Sequence, residues 1–355
     1  MAGSGSASEN SYVDECQERT KGYLDRINAG FGATFGTTSL TLTPKNGKSK
    51  VDRYVGKVRD RYDDGERVYL VVTDRLSAFD RALAEIPFKG AVLNMVSKWW
   101  FEQVGHIIPN HIVSTVGDAS VPMHSNVTVG KRCKPFPIEF VMRGYITGSS
   151  GTAMWTHYAK GCRDYCGIKL PEGMKKNQKL WENLITPTTK SDEHDELISP
   201  ERIVAEGWMT QEHWDVCSAA AKAIFALGQK LAVERGLILV DTKYEFGIEE
   251  STGTIMLIDE IHTPDSSRYW LADSYEARIA EGKAPDNIDK EFVRLWYKDH
   301  CDPYKDEVLP DAPRELLAEL SRRYIMLFEI ITGEKFPFPA VGAVEEWAKA
   351  AGLDN

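Results

Sequence analysis

The residues of this chain best placed to do chemistry lie between Gly236 and Ile261. Two apolar runs, 237–247 and 254–261, flank the polar turn Glu249-Glu250-Ser251-Thr252-Gly253, which is the pattern of a β-hairpin. Symmetric pairing about that turn sets Glu245 opposite Asp259, with side chains about 5 Å apart on one face. Strand alternation adds Asp241 and Lys243 to that face and sends Val240, Tyr244 and Phe246 to the other. Facing carboxylates repel unless a cation or proton sits between them. Hard oxygen ligands at that spacing suit Mg2+, which takes one or two carboxylates and completes its shell with phosphate oxygens and water. The competing reading is the solvated outer face of an antiparallel sheet, and a one-residue shift of register would separate the acids.

Five further segments carry groups that hold anions. Gly56-Lys57, within Tyr54-Val55-Gly56-Lys57-Val58-Arg59-Asp60, combines an approachable backbone with a point charge. It lacks the GxxxxGK[ST] spacing, and the chain contains no GxGxxG. Thr73 to Arg81, holding Ser77 and Asp80, follows an apolar strand directly, where site residues gather. Arg143-Gly144-Tyr145-Ile146-Thr147-Gly148-Ser149-Ser150-Gly151 joins a guanidinium to hydroxyls and glycines, a combination suited to phosphate or carboxylate. Thr186 to Asp195 is dense in donors and includes Lys190 and the pair His194-Asp195. Thr263 to Trp270 places Asp265 and Arg268 on a loop after the acidic hairpin. Taken singly, each reads equally as a turn or capping loop with surface charges.

These groups need elements to hold them. Residues 11–35 read as a helix and a turn at Gly32 and Gly36, and 53–73 as a hairpin turning at Asp63-Asp64-Gly65. Val96, Trp99, Trp100 and Val104 mark one side of an amphipathic helix over 93–107. Ile138 to Tyr145 reads as a strand. Residues 163–200 carry no periodicity and are either a linker or a binding loop. A helix over 211–235 shows Ala220, Ile224, Leu227 and Leu231 on one face and Gly236 as its stop. Helices broken at Pro303, Pro310 and Pro313 occupy 288–333.

With 355 residues and 42% hydrophobic content, the chain can bury a core without disulfides or metal. Its net charge of −10 argues against an indiscriminate nucleic-acid binder, though not against an anionic small ligand in a local basic pocket. No run approaches the ~18 apolar residues of a membrane span. Residues 1–10 are small and polar, without the apolar core of a secretory signal or the arginines of a mitochondrial presequence. A disordered tail on a cytoplasmic protein is the expectation. The six cysteines form no paired CxxC set. Cys162, Cys166 and His157 make at most a zinc half-site, and reduced thiols are the better reading.

In order along the chain, the strings GKVRD, TDRLSAFD, KGAVLN, VMRGYITGS, LPEG, TPTTK, HD, LVDTKYEFG and DEIHTPDSSRYW closely resemble the phosphoribosylaminoimidazole-succinocarboxamide synthase (SAICAR synthetase) family over roughly residues 50–335. The resemblance implies an α+β fold with two sheet-containing lobes, an ATP cleft distantly related to kinases and ATP-grasp enzymes, and C-terminal helices. The corresponding divisions are a tail at 1–10, an N-terminal lobe at 11–135, a central ATP and substrate lobe at 136–275 and a helical segment at 276–355. It implies an ATP-dependent ligase of purine biosynthesis joining L-aspartate to a carboxyaminoimidazole ribotide through an acyl phosphate, with Mg2+ and without nucleic-acid or membrane partners. By the same resemblance Gly56 and Lys57 hold ATP phosphates, Glu245 and Asp259 hold metal and nucleotide, and Lys243 and Lys190 neutralise charge at the transfer. Arg143, Ser149 and Arg268 match positions on the ribotide, and Ser77, Asp80 and Lys89 match a second substrate-side loop. Asp265 orients the imidazole amine or Arg268, and Glu139 lies where an inter-lobe segment meets adenine. A small-molecule kinase would use the same acidic hairpin, whereas a nucleotide-binding regulator without turnover would bind ATP without needing Glu245 or a catalytic metal.

Overall fold

A computed structural model of the protein describes residues 11–38, 40, 42–114, 125–190 and 196–340. Ser191, His194 and Asp195 therefore lie outside the described residues. The chain opens with helices α1 (Tyr12–Lys21) and α2 (Leu24–Gly30), then strands β1 (Asp52–Val55), β2 (Arg59–Asp63), β3 (Arg67–Val72), β4 (Arg75–Ala78) and β5 (Arg81–Glu85). Helix α3 (Lys89–Val104) leads to β6 (Ile112–Ser114), β7 (Val127–Lys131) and β8 (Cys133–Tyr145). Next come α4 (Met154–Ala159), β9 (Asp164–Tyr165), β10 (Ile168–Lys169), β11 (Lys179–Ile185) and β12 (Thr188–Thr189). Helices α5 (Pro200–Ala205) and α6 (Gln211–Glu234) precede β13 (Leu237–Glu249), β14 (Ile255–Ile258) and β15 (Arg268–Leu271). Helices α7 (Ala272–Ala280), α8 (Glu291–His300) and α9 (Arg314–Thr332) close the described chain.

Two antiparallel sheets organise these elements, as the α+β expectation requires. The first has the order β1-β2-β3-β7-β6, and a separate β4-β5 hairpin follows it in sequence. The second runs β11-β8-β13-β14, with β12 also on β8 and β15 also on β13. Two turns serve the first sheet. Asp64 caps the β2–β3 turn by accepting from the N–H groups of Glu66 and Arg67. The β1–β2 turn holds Gly56, whose N–H donates to Arg59 O at 2.9 Å. A Cβ there would lie 2.5 Å from that same oxygen, so only glycine closes the turn.

Helix α6 covers one face of the second sheet. Phe140 of β8 stacks on Trp214 and meets Phe246 edge-on, while Ile224, Phe225 and Leu239 are fully buried between the layers. α6 is the one described helix long and apolar enough to cross a membrane, and its apolar face packs on β13. The segment 163–200 is neither linker nor free loop. It supplies β11 and β12 to the edge of this sheet, and its lack of period reflects an irregular register between Lys179 and Leu184. The C-terminal helices are tied to the first lobe, since α9 packs on α1, α2 and α3. One buried cluster runs from Val13 through Trp100, Tyr244 and Leu327 to Phe338.

Candidate active site

The hairpin register differs by one residue from the symmetric expectation. Glu245 pairs with Ile258, not Asp259, because the turn after β13 is asymmetric. The acids stay together nonetheless. Asp259 leaves the strand in the left-handed region, φ 70°, and its charge is among the causes that raise the Glu245 pKa. The predicted faces hold for Tyr244 and Phe246, which enter the core. A shift in the β13–β15 pairing between Leu239 and Asp241 puts Val240 instead in a small cluster with Tyr145, Trp270 and Tyr275.

The opposite face is not a solvated exterior. Across β8 and β13, Glu139 faces Glu245 and Arg143 faces Asp241, and β15 brings Arg268 opposite Asp241 from the other side. Glu139, Arg143, Asp241 and Glu245 are all buried. Lys243 Nζ donates to Glu139 Oε1 at 2.5 Å and lies 3.7 Å from Glu245 Oε1. Lys190, from the loop after β12, pairs with Glu245. Arg59 arrives from the first sheet, its Nη2 3.0 Å from Asp259 Oδ2 and 2.8 Å from Glu260 Oε1. Burial alone would lower the Lys243 pKa, but Glu139 and Glu245 hold it above the lysine range. Burial and Asp259 push Glu245 up, whereas Arg59 holds Asp259 down against its own burial.

A second cluster continues along the same face. Arg268 Nη1 donates to Asp241 Oδ2 at 2.6 Å, and Arg143 Nη1 lies 3.8 Å from the same oxygen. Arg143 Nε donates to Thr186 Oγ1 at 2.8 Å. Ser149 Oγ donates to Glu291 Oε1 at 2.6 Å, and its carbonyl accepts from Lys298. A third cluster lies deeper. Lys89 Nζ sits 2.8 Å from Asp265 Oδ2, Lys290 Nζ 3.4 Å from Oδ1, and Tyr324 donates to Oδ1 at 2.7 Å. Lys290 also donates to the Ser77 carbonyl, and burial lowers its pKa.

Several predicted positions therefore differ from expectation. Lys89 is 0% exposed and does not line an open cleft. Asp265 does not hold Arg268; Asp241 does. Glu139 lies mid-strand in β8, accepting from Lys243 and Thr188. Lys57 and Asp80 pair with each other at the exposed rim, away from the buried clusters. Arg59, Lys290 and Lys298 had no assigned role in the motif reading. Lys290, Arg294 and Lys298 recur every four residues, a spacing that puts them on one helix face and was the available signal. Among the described residues no group of three or more His, Cys, Asp or Glu side chains is arranged to hold a metal unaided. Glu245 and Asp259 would supply two oxygen ligands.

A family model described as SAICAR synthetase matches residues 52–310. The chain belongs to the SAICAR synthetase family. It is 59% identical over 286 residues to phosphoribosylaminoimidazole-succinocarboxamide synthase of Legionella pneumophila strain Paris, covering 81% of this chain and 89% of that protein. The chloroplastic synthase of Arabidopsis thaliana is 57% identical over 312 residues, 88% of this chain and 73% of that one. Among solved structures, the Saccharomyces cerevisiae SAICAR synthase complexed with SAICAR superposes with a TM-score of 0.69 at 32% identity, covering 84% of this chain and all of that one. The family is an ATP-dependent ligase of purine biosynthesis that joins aspartate to the carboxyaminoimidazole ribotide. The expected α+β fold and ligase activity stand on these findings.

Proposed function

We propose that the face shared by β8, β13 and β15 carries both halves of the ligation. The Glu139–Lys243–Glu245–Asp259 end handles phosphoryl transfer, and the Arg143–Asp241–Arg268 end holds the ribotide. The supporting observation is the pairing that puts Glu139, Lys243, Glu245, Arg143, Asp241 and Arg268 on three adjacent strands.

A carboxylate is a poor acyl donor. Attack of its oxygen on the γ-phosphorus forms an acyl phosphate and releases ADP. Aspartate's amine then attacks the acyl carbon, phosphate leaves, and the amine loses one proton. The first step depends on positioning and charge neutralisation, without a protein nucleophile. Lys243 and Lys190 supply positive charge beside buried carboxylates, and Lys57 at the rim, with Gly56 as a close-approach turn, would take the outer phosphates on leaving Asp80. The donor set of Glu245 and Asp259, two hard carboxylates, fits Mg2+, which when bound would neutralise phosphate charge. Arg143 and Arg268 present planar forks suited to an anionic group, and Ser149 adds a hydroxyl. Asp265, held by Lys89, Lys290 and Tyr324, anchors the loop that leads into β15, whose first residue is Arg268.

Incubation with ATP, ribotide and Mg2+, with and without aspartate, tests this. ADP and the succinocarboxamide product should form only when ribotide and aspartate are both present. A stable phosphorylated ribotide formed without aspartate would favour a kinase and overturn the reading.

A further inference from the structure

A groove between α6 and β11 contains none of the residues assigned above. It has a volume of about 620 Å³ and runs between the C-terminal half of α6 and the irregular stretch of β11, on the side of the sheet that α6 covers. That size is in the range of small-molecule sites, roughly 300–1,000 Å³.

Its lining has a specific polar feature. Asn183 Nδ2 donates to Gln229 Oε1 at 2.7 Å, joining β11 to α6. The remaining atoms of the two amides, Asn183 Oδ1 and Gln229 Nε2, have no hydrogen-bond partner among the described residues. Both sit over Gly144, where a Cβ would lie 3.4 Å from Asn183 Oδ1 and 2.6 Å from Gln229 Nε2. An alanine would displace the Gln229 amide, so the glycine beside Arg143 makes room for this pair. The result is one acceptor and one donor, side by side over Gly144 in the lining of the groove. Trp181, 52% exposed, stands beside them. Lys179 and Lys230 also line the groove, and neither has an ion-pair partner among the described residues.

We infer that this groove binds a purine nucleoside monophosphate at a site separate from the catalytic face. A purine edge offers a donor next to an acceptor, as in N6–H and N7 of adenine, the complement of paired amide groups. An exposed indole is a stacking platform for a base, and an unpaired lysine takes the phosphate as a point charge. A pyrimidine has a smaller stacking face.

Isothermal titration of the intact protein with AMP, its catalytic cleft first saturated with ribotide and a non-hydrolysable ATP analogue, tests the assignment. One further AMP should bind per chain. Trp181→Ala and Gln229→Leu should each weaken that binding about tenfold or more while leaving basal ligase turnover unchanged, which also verifies folding. UMP should bind at least tenfold more weakly than AMP. Absence of AMP binding at millimolar concentration, equal binding in both variants, or equal binding of UMP would each overturn the assignment.

Discussion

Replacing Lys243 by Met tests whether the strand face is held by its ion pairs. Lys243 lies 2.5 Å from Glu139 and 3.7 Å from Glu245, and those two acids face each other across β8 and β13. Breaking a fully buried pair costs about 3–5 kcal/mol, and an exposed one about 0–1 kcal/mol. The Lys243 side chain is 35% exposed and Glu139 9%, so the loss falls between, at about 2 kcal/mol. For a chain larger than 250 residues that corresponds to a Tm drop of about 4 °C. The sign with pH is specific. Lys243, against burial, holds the Glu139 pKa below the usual range. This pairing stabilises above the unfolded carboxyl pKa and is lost as pH falls through the lower folded value. In Lys243→Met that depression is gone, so the gap to the wild type should be widest at neutral pH and shrink below about pH 4. Calorimetry from pH 7 to pH 3 reads it directly, with ADP release at pH 7 expected to vanish in the same variant. A Tm gap that stays constant over that range, or no gap at pH 7, would refute the electrostatic account of this face.

Four other outcomes follow from the same geometry. Asp259→Asn should lower kcat far more than it raises KM for the ribotide, and Arg268→Ala should do the reverse; matching effects would undo the division between the two ends of the face. Arg59→Ala removes the guanidinium that occupies Asp259 and should raise the Mn2+ affinity of the nucleotide-free protein severalfold by titration; an unchanged affinity would show that Asp259 is not a metal ligand. Burial raises the Asp289 pKa to about 7, so ionising it costs stability progressively between about pH 4 and pH 7. Asp289→Asn should therefore match the wild type in Tm below pH 4 and exceed it above pH 7, and a constant difference would contradict this. Burial pushes the thiols of Cys166 and Cys217 up to about 12, so iodoacetamide at pH 8 should leave both unmodified in the native protein and react after denaturation, as read by peptide mass.

The long periodic elements were legible in the sequence. Helix α6 ends one residue from its expected boundary, and β13 and β8 contain the expected runs within longer strands. What was hidden is non-local. Nothing in residues 179–185 announces an edge strand, because its pairing with β8 is interrupted after Lys179 and its exposed side carries Trp181 and Glu182. The single-residue register of the hairpin depends on turn geometry that composition does not encode. The charge map was half visible. Lys243 and Glu245 follow from strand alternation, Asp259 reaches them only by leaving β14 in the left-handed region, and the partners Arg59 and Glu139 arrive from strands more than 100 residues away.

The three clusters have different charge balances, and that difference sorts the ligands. At the Glu139 end, three cations (Arg59, Lys190, Lys243) meet four carboxylates (Glu139, Glu245, Asp259, Glu260). One excess negative charge makes that end receptive to a divalent cation, and binding one would turn it positive toward polyphosphate. At the other end, Arg143 and Arg268 both lie within ion-pair distance of Asp241, and Lys89 and Lys290 both lie within ion-pair distance of Asp265. In each of these pairings two cations meet one carboxylate, which leaves room for an anion, although Glu291 and Asp289 also act on Arg268. A protein of net charge −10 thus attracts anionic substrates only where buried arginines and lysines outnumber their carboxylates. Adding one carboxylate there, as in Thr186→Asp beside Arg143 Nε, should abolish ribotide binding while leaving ATP binding intact. Loss of both would mean the two ends act as a single electrostatic site.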